Sequence, residues 1–407
     1  METFELSIDS IAAGGDGVGR HDGMVAFVPR TSPGDRVRVE AKREGRLMRG
    51  RVLELLAPSA SRAAPRCGHY NADACGGCQL QHLSYESQLQ AKSTIITDAL
   101  TRIGGLTLDA AVVVEPSPSQ WRYRSKLTLA LRREADSWIA GLHQYGAPGR
   151  VFALDDCHIT DTAVVSHWRE IMRHAALLPA ARELRASVRL TDDGFSFVVD
   201  GGREWTAHFE LFAAVPTMHE LWWQPAGKRS QRLHSRGAAQ AGASFTQVNP
   251  TVAARLRQWV VRIATASGVK TAVDAYSGTG DLALDIAALG ARVTAIEIDR
   301  DASRVCASRL PAGSRAIASS VEAALPRTLP ADLVVLNPPR AGLAVSIAAT
   351  LQQEPRSRTL VYVSCNPATL ARDLKRLDRY EVRSVRGFDM FPQTAHVETV
   401  CELVPAA

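Results

Sequence analysis

Three cysteines lie close together in the first fifth of the chain, and their spacing is typical of a metal site. Cys67 is followed by Cys75 and Cys78, with two glycines between the last pair. Glycine allows a turn tight enough for both thiolates to face one metal centre. Cys157 is the best candidate for a fourth ligand. A redox Cys-x-x-Cys pair without metal is the alternative, and the nearby third cysteine favours the metal.

The ligand type limits which metal this set could hold. Four thiolates bind either a zinc ion or an iron–sulfur cluster, and spacing alone does not choose between them. We expect no disulfide framework, because the total of seven cysteines is odd and the acidic N-terminal residues do not resemble an export signal.

A thiol and a carboxylate in the last third of the chain could perform covalent catalysis. Cys365 follows an apolar run at 360–364 and precedes Asn366-Pro367, a pattern that predicts a strand end and a helix start. Reactive side chains of parallel α/β proteins lie at this edge of the sheet. Glu398 lies on an extended segment near the end of the chain. The alternative for Cys365 is a small buried side chain, the role we assign to Cys306 and Cys401.

A glycine loop between a strand and a helix predicts a nucleotide-like cofactor. The apolar strand 271–276 leads into Ser-Gly-Thr-Gly280, and a helix is predicted over 281–289. The next strand, 292–298, carries Glu297, whose carboxylate can accept two ribose hydroxyls. This pair suits NAD or S-adenosylmethionine. Ala283 stands where a dinucleotide fingerprint has its third glycine, and this favours S-adenosylmethionine.

Three regions must position these groups. Residues 1–58 contain short β-rich segments with glycine turns and predict a small OB-like barrel. Residues 66–235 predict a mixed α+β central domain that holds the cysteines. Residues 236–407 alternate strand and helix, which predicts a mostly parallel α/β sheet.

Composition and charge restrict the class of protein. The 407 residues are 46% hydrophobic and 22% charged, values of a folded globular chain. No apolar run reaches membrane-spanning length, so we expect a cytoplasmic protein that does not bind membranes. The net charge of +6 permits an acidic partner. Residues 30–51 hold eight Arg or Lys against three Asp or Glu, so RNA binding and a solvated face are equally consistent with this run.

The order of several motifs identifies a resemblance that covers nearly the whole chain. Cys-Gly-Gly-Cys, Ser-Phe-Thr-Gln-Val-Asn, Asp-x3-Gly-x-Gly, Pro-Pro-Arg, Ser-Cys-Asn-Pro and Phe-Pro-x-Thr-x-His-Val-Glu follow one another. The chain resembles the S-adenosylmethionine-dependent RNA uracil-C5 methyltransferases. It is most similar to the iron–sulfur branch, which makes 5-methyluridine in 23S ribosomal RNA and carries an N-terminal TRAM domain.

This resemblance implies a Rossmann-like class I methyltransferase domain and a role for each motif residue. Cys365 would be the nucleophile and Glu398 the base. A [4Fe–4S] cluster would be held by Cys67, Cys75, Cys78 and Cys157. The cofactor site would be formed by Gln247, Tyr276, Asp281, Glu297, Ser320 and Asn337. The substrate would be RNA, most simply 23S rRNA, and the protein a monomer.

The chain departs from the family pattern at Asn337, where an aspartate usually precedes Pro-Pro-Arg. Three alternatives follow from the residues: the same chemistry on transfer RNA, a non-catalytic RNA-binding protein on the same scaffold, and a small-molecule methyltransferase. The basic N-terminal region and the thiol–carboxylate pair count against the last.

Overall fold

The computed structural model describes residues 1–135, 137–237 and 247–406, and these form two compact units. The first unit combines three separate stretches: Met1–Ala63, His82–Pro118 and Thr251–Ala407. The second consists of Ala64–Gln81 and Ser119–Pro250. In the described ranges no helix has the length and apolar character needed to cross a membrane.

A six-stranded sheet forms the N-terminal part of the first unit. Its strands are β1 (Glu2–Ser7), β2 (Ser10–Ile11), β3 (Gly17–His21), β4 (Met24–Val28), β5 (Arg36–Glu44) and β6 (Leu47–Ala57), in the order β1-β5-β6-β4-β3-β2. Val37, Val39 and Ala41 alternate with exposed or half-buried residues along β5 and form its core side. The period of two explains why these short segments form strands although the region is rich in charge.

The second unit is built on a seven-stranded sheet with helices against it. The helices are α1 (Gly68–Ala72), α3 (Thr162–Arg173) and α4 (His208–Ala214); the strands are β8 (Lys126–Glu134), β9 (Ser137–Gln144), β10 (Ala147–Ala153), β11 (Glu183–Thr191), β12 (Gly194–Asp200), β13 (Met218–Gln224) and β14 (Gln231–Ser235). The sheet order is β10-β9-β8-β11-β12-β13-β14. One apolar face of this sheet packs against Trp168 of α3 and Leu211 of α4.

An eight-stranded sheet dominates the rest of the first unit. Its strands are β7 (Val114–Glu115), β15 (Thr271–Ala275), β16 (Arg292–Glu297), β17 (Arg315–Ala318), β18 (Leu333–Leu336), β19 (Thr359–Ser364), β20 (Tyr380–Phe388) and β21 (Glu398–Pro405). The helices are α2 (Tyr85–Asp98), α5 (Pro250–Ala266), α6 (Asp281–Ala287), α7 (Arg300–Arg309), α8 (Val321–Ala324), α9 (Val345–Leu351) and α10 (Pro367–Leu374).

The strand order of this sheet is β17-β16-β15-β18-β19-β21-β20-β7. The first five strands pair in parallel, whereas β21 pairs antiparallel with both β19 and β20. The predicted α/β fold with a mostly parallel sheet is therefore confirmed. Helix α2 follows three of the four cysteines in sequence, but it belongs to the first unit and not to the unit that holds the cysteines.

A buried carboxylate joins the loop after β18 to the helix after β19. Asp373 of α10 is fully buried, and its Oδ2 accepts hydrogen bonds from the Leu343 backbone N–H at 2.7 Å and the Tyr362 hydroxyl at 2.8 Å. Its Oδ1 accepts from the Arg372 guanidinium at 2.9 Å. The charge is thus fully hydrogen-bonded, which a buried carboxylate requires. The loop 337–343 is consequently fixed to α10.

Gly342 allows this close approach, and its substitution tests the packing. An added Cβ would lie 2.2 Å from Asp373 Oδ2, and Gly342 has a φ of +80°. Gly290 is a matched control, because its φ is +86° but nothing lies within 4 Å of an added Cβ. We expect Gly290→Ala to cost about 1–2 kcal/mol from backbone strain alone. Gly342→Ala should cost roughly 2 kcal/mol more, since the clash adds to the same strain. Urea denaturation measures the free energy of unfolding of both variants. An equal loss of stability in the two variants would contradict the packing argument.

Candidate active site and cysteine cavity

Four predicted site residues lie at the ends of neighbouring parallel strands or directly after them. In the register of the sheet, Ala275 pairs with both Ile296 and Leu336, and Leu336 pairs with Tyr362. Strands β15, β16, β18 and β19 therefore end at the same edge. Tyr276, Glu297, Asn337 and Cys365 lie at these ends.

The reversed strand β21 brings Glu398 to the same edge. Ser364, the last residue of β19, pairs with Thr399. Glu398 is the first residue of β21 and therefore lies beside Cys365, one residue beyond the end of β19. A parallel strand in this place would carry its first residue to the opposite edge.

Asn366 and Pro367 explain the local conformation at Cys365. Asn366 is the N-cap of α10, and its side-chain oxygen accepts the backbone N–H groups of Ala368 and Thr369. Pro367 occupies the first helical position, where its fixed φ is favourable. Cys365 thus directly precedes a capped helix N-terminus, a location that favours a thiolate.

Cys365, Glu398 and Arg340 form one electrostatic group. Burial, followed by the negative charge of Glu398, raises the pKa of the half-buried Cys365 thiol. The Arg340 guanidinium, hydrogen-bonded to the Cys365 side chain, acts in the opposite direction. Burial raises the pKa of Glu398 from 4.5 to about 7, although Arg340 lowers it. The ionisation of the thiol and that of the carboxyl group are therefore coupled, because each negative charge opposes the formation of the other.

The sequence interpretation assigned no role to Arg340, although it lies in the Pro-Pro-Arg motif. Its loop is held to α10, because the Thr369 hydroxyl donates to the Arg340 carbonyl at 3.2 Å and Arg372 donates to the Ala341 carbonyl at 2.7 Å. The sequence did contain a signal for a role of Arg340, because this cation follows two prolines in a loop that comes after a predicted strand.

Glu297 organises the glycine loop that was predicted to bind the cofactor. Its Oε2 accepts the backbone N–H of Gly278 at 2.9 Å, and its Oε1 accepts that of Asp299 at 2.8 Å. Gly280 has a φ of +85°, and an added Cβ would lie 2.3 Å from Cys306 Sγ. Cys306 is fully buried, which agrees with the packing role predicted for it.

The remaining predicted cofactor residues lie around this loop or beside it. Tyr276 has a φ of +65° and is half-buried, and burial raises the pKa of its hydroxyl. Asp281 opens α6 and pairs with Arg309 at 2.8 Å. Ser320 caps α8 through Ala323 N–H. Asn337 is half-buried, and its backbone N–H donates to the Ala275 carbonyl at 3.3 Å.

Asp274 is a second residue that sequence reasoning left without a role. It is 2% exposed, its Oδ2 has no hydrogen-bond partner among the described residues, and burial raises its pKa to about 7. Glu297 and Asp281 lie close enough to raise this pKa further. Three carboxyl groups therefore surround the loop, an arrangement that suits a positively charged ligand. An aspartate inside an apolar strand was the signal for it.

Gln247 belongs to the second unit. Its neighbour Val248 accepts the backbone N–H of Ser125 at 2.9 Å, which joins this segment to the residues before β8. Gln247 itself is half-buried. The first three residues of its motif, at positions 244–246, lie outside the described residues.

The four predicted metal ligands line one cavity of the second unit, with a volume of about 220 Å³. Cys67, Cys75 and Cys78 are each 8% exposed, and Cys157 is partly buried. A water molecule takes about 30 Å³ in the liquid, so the cavity has room for a group of several atoms. Burial raises the pKa of Cys78, and the proximity of the other three cysteines adds to this effect.

Polar contacts fix the segments that carry these cysteines. The Gln81 side chain accepts the Cys67 backbone N–H at 3.2 Å. His69 Nε2 accepts the Asp155 backbone N–H at 3.3 Å, so its Nδ1 carries the proton that is donated to Asp73 at 2.7 Å. Among the described residues, no three His, Cys, Asp or Glu side chains lie close enough together to bind a single metal ion.

The buried carboxyl of Glu398 predicts a measurable dependence of stability on pH. Because its pKa is raised, ionisation disfavours the folded state; this penalty is absent below pH 4.5 and complete above about pH 7. Glu398→Gln stays neutral, so its stability relative to wild type should rise between pH 5 and pH 8 by on the order of 3 kcal/mol. Urea denaturation at both pH values measures this change. Glu381→Gln, at an exposed site of β20, is the control for the loss of one charge. An equal change of stability with pH in the two variants would contradict the raised pKa of Glu398.

Comparison with known proteins agrees with this architecture. Residues 327–404 match the family described as tRNA (Uracil-5-)-methyltransferase, and residues 1–44 match the TRAM domain. A solved structure, the Pyrococcus abyssi tRNA (uracil-54, C5)-methyltransferase in complex with S-adenosyl-L-homocysteine, superposes with a TM-score of 0.71 over 98% of this chain and all of that one. At 24% identity, this likeness shows the shared fold.

Relatives extend the likeness over the whole chain. An uncharacterised RNA methyltransferase of Thermosynechococcus vestitus is 33% identical over 98% of each chain. The 23S rRNA (uracil(1939)-C(5))-methyltransferase RlmD of Nitrosococcus oceani is 29% identical over 98% of this chain and 96% of its own. With the glycine loop, the strand-end thiol and the buried carboxyl on one sheet edge, this chain belongs to the S-adenosylmethionine-dependent RNA uracil-C5 methyltransferases.

Proposed function

We propose that this enzyme methylates carbon 5 of a uridine in 23S ribosomal RNA, with Cys365 as the nucleophile and Glu398 as the base. The observation that carries the proposal is the grouping of Cys365, Glu398 and Arg340 at the carboxyl edge of the sheet. The ribosomal substrate is supported by the likeness to RlmD along nearly the full length.

The chemistry of uracil explains why these two groups are needed. Carbon 5 is a poor nucleophile until a thiolate adds to carbon 6. The sulfur then bonds to carbon 6, and the electrons of the carbon 5–carbon 6 double bond move into an enolate. Carbon 5 then attacks the methyl group of the sulfonium donor, and the donor sulfur leaves as a neutral thioether. A base removes the proton from carbon 5, the carbon 5–carbon 6 double bond re-forms, and the thiolate is expelled.

Each residue of the group acts at one of these steps. Arg340 stabilises the Cys365 thiolate, which must form before attack, because its guanidinium lowers the pKa of the thiol. Glu398, with a pKa of about 7, is basic enough to accept the carbon 5 proton and acidic enough to release it afterwards. Its burial excludes water from the proton transfer.

The carboxyl groups beside the glycine loop would hold the positively charged donor. Glu297 would receive the ribose hydroxyls, with Tyr276, Asp281 and Ser320 as further contacts. Asp274 lies beneath the loop and would add negative charge.

Asn337 adds no such charge near Cys365, and a nearby carboxylate would have raised the pKa of the thiol further. The substitution is therefore compatible with an active enzyme.

A covalent adduct with modified RNA tests the nucleophile. In RNA that contains 5-fluorouridine, methyl transfer leaves fluorine where the proton would be, so elimination stops. We expect an adduct that survives a denaturing gel, and Cys365→Ala should abolish it while S-adenosylmethionine still binds. Cys401→Ala, at a fully buried site of β21, is the matched cysteine control. Methylation by Cys365→Ala would refute the assignment.

Mapping of 5-methyluridine by mass spectrometry in a deletion strain identifies the substrate. Loss from 23S rRNA supports the proposal, whereas loss from transfer RNA assigns the enzyme the substrate named for the Pyrococcus abyssi relative. An unchanged pattern in both RNAs, together with no turnover in vitro, would favour a non-catalytic RNA-binding protein.

We further propose that Cys67, Cys75, Cys78 and Cys157 hold a [4Fe–4S] cluster. All four line one cavity, and four thiolates are the ligand set of such a cluster. In a cluster each thiolate binds a different iron, so the thiols need only surround the cavity, whereas zinc requires them to converge on one point. When bound, the cluster would crosslink the segments that carry the four cysteines.

Metal content and stability test this cluster together. Protein purified without oxygen should contain about four iron and four sulfide ions per chain, as the cluster formula requires. Cys157→Ala should lose the iron and lower the melting temperature of the second unit, because metal binding contributes to folding. Cys306→Ala, outside the cavity, should keep its iron. Stoichiometric zinc without iron in the wild type would refute the proposal.

A further inference from the structure

Helix α2 carries three polar side chains that all bond to one distant loop. Tyr85, Gln88 and Lys92 are three and four residues apart, so they share one face of the helix. Their common partner is the loop 389–397, which connects β20 to β21. The contacts join residues about three hundred positions apart in the sequence, within the first unit.

A fully buried ion pair lies at the centre of this contact. Lys92 Nζ donates to Asp389 Oδ1, and both side chains have no exposed surface. The same ammonium donates to the Phe391 carbonyl at 3.0 Å, and the Tyr85 hydroxyl donates to Asp389 Oδ2 at 2.9 Å. Burial lowers the pKa of Lys92, and the charge of Asp389 opposes this shift.

Two glutamines form the second part of the contact. The Gln88 Nε2 donates to Gln393 Oε1 at 3.0 Å, and the Gln393 backbone N–H donates to Gln88 Oε1 at 2.9 Å. Gln393 has a φ of +70°, an unfavourable conformation for a residue with a side chain. The hydrogen bonds from Gln88 therefore hold the loop in a shape that its own sequence does not prefer.

The loop fixed by these contacts closes on Glu398. Phe388, the last residue of β20, pairs directly with Glu398, the first residue of β21. Asp389 follows Phe388 at once, so an anchor on Asp389 lies one residue from the partner of Glu398. Within the loop, the Thr394 hydroxyl donates to the Phe391 carbonyl at 2.9 Å and accepts the His396 backbone N–H at 3.2 Å.

Stability alone does not explain a buried ion pair at this place. Removing two charges from water costs as much as their attraction returns, and replacement of a buried pair by apolar residues is often neutral or stabilising. What such a pair supplies is a defined geometry. Here it fixes the approach of the β20–β21 loop to α2.

We propose that Tyr85, Gln88 and Lys92 of α2 are positioning residues that set the place of Glu398 through Asp389 and Gln393. This inference rests on the proposed role of Glu398 as the base. Removal of the carbon 5 proton takes place after thiolate addition and methyl transfer. A displaced Glu398 should therefore leave thiolate addition and methyl transfer intact and slow the release of product.

The double variant Lys92→Met/Asp389→Leu tests this, because it removes both buried charges together. We expect it to fold and to bind RNA with an unchanged KM, whereas kcat should fall roughly 10- to 100-fold, the size of effect that small misplacements of catalytic groups produce. A covalent adduct should accumulate on ordinary uridine RNA. A purely structural role would not generate that adduct.

Two further variants make the result decisive. Arg257→Leu/Asp285→Leu removes an ion pair between α5 and α6, outside this contact, and should leave kcat and adduct level unchanged. Gln88→Leu keeps the buried charges and should also accumulate the adduct. If circular dichroism shows that the double variant is unfolded, Gln88→Leu alone tests the positioning role. Wild-type turnover without adduct in the folded variants would overturn the inference.

Glu398→Gln separates this inference from the proposed function. If that variant gives no adduct on uridine RNA, the role of Glu398 as base is wrong. If it gives the adduct and the α2 variants do not, only the positioning role is wrong.

Discussion

The direction of a single strand determines what the catalytic edge of the sheet can contain. Among the described strands of this sheet, β21 alone runs in the opposite direction, so it begins at the edge where the other strands end. This places Glu398 beside Cys365. Because side chains alternate across a strand, a slip of one residue in the β19–β21 register would turn Glu398 to the opposite face. The pairings of Ser364 with Thr399 and of Phe388 with Glu398 fix that register from both sides.

The first unit buries several ionisable groups. Glu398 and Asp274 are almost fully buried, and burial brings both carboxyl groups to a pKa of about 7. Asp373 and Asp389 are also fully buried, but they are surrounded by donors. Carboxylates with several donors hold loops in place, whereas the two with few donors lie at the edge where a substrate and a cofactor would bind. The number of hydrogen bonds to each carboxyl group therefore separates the carboxylates that hold loops in place from the two that lie at the candidate active site.

Sequence patterns predicted the local elements well, because periodicity and turn residues are local properties. The strand and helix around Gly280 were predicted to within two residues at each end, and the four cysteines that the sequence analysis grouped line one cavity. What the sequence could not predict was pairing between distant segments. The assignment of α2 to the first unit, the reversed direction of β21 and the contact between Lys92 and Asp389 all depend on residues far apart along the chain. The apolar neighbours of Asp274 signal its burial, but the lack of a hydrogen-bond partner for its Oδ2 among the described residues depends on packing.

The division of the first unit into three stretches constrains the order in which the protein can be built. The second unit needs nothing beyond Pro250, so all of its segments have left the ribosome before the first unit is complete. Lys92 is made long before Asp389, and it must remain hydrated until its counter-ion arrives. Contacts of such long sequence separation form slowly. The polar face of α2 therefore stays exposed during synthesis until the loop 389–397 has been made.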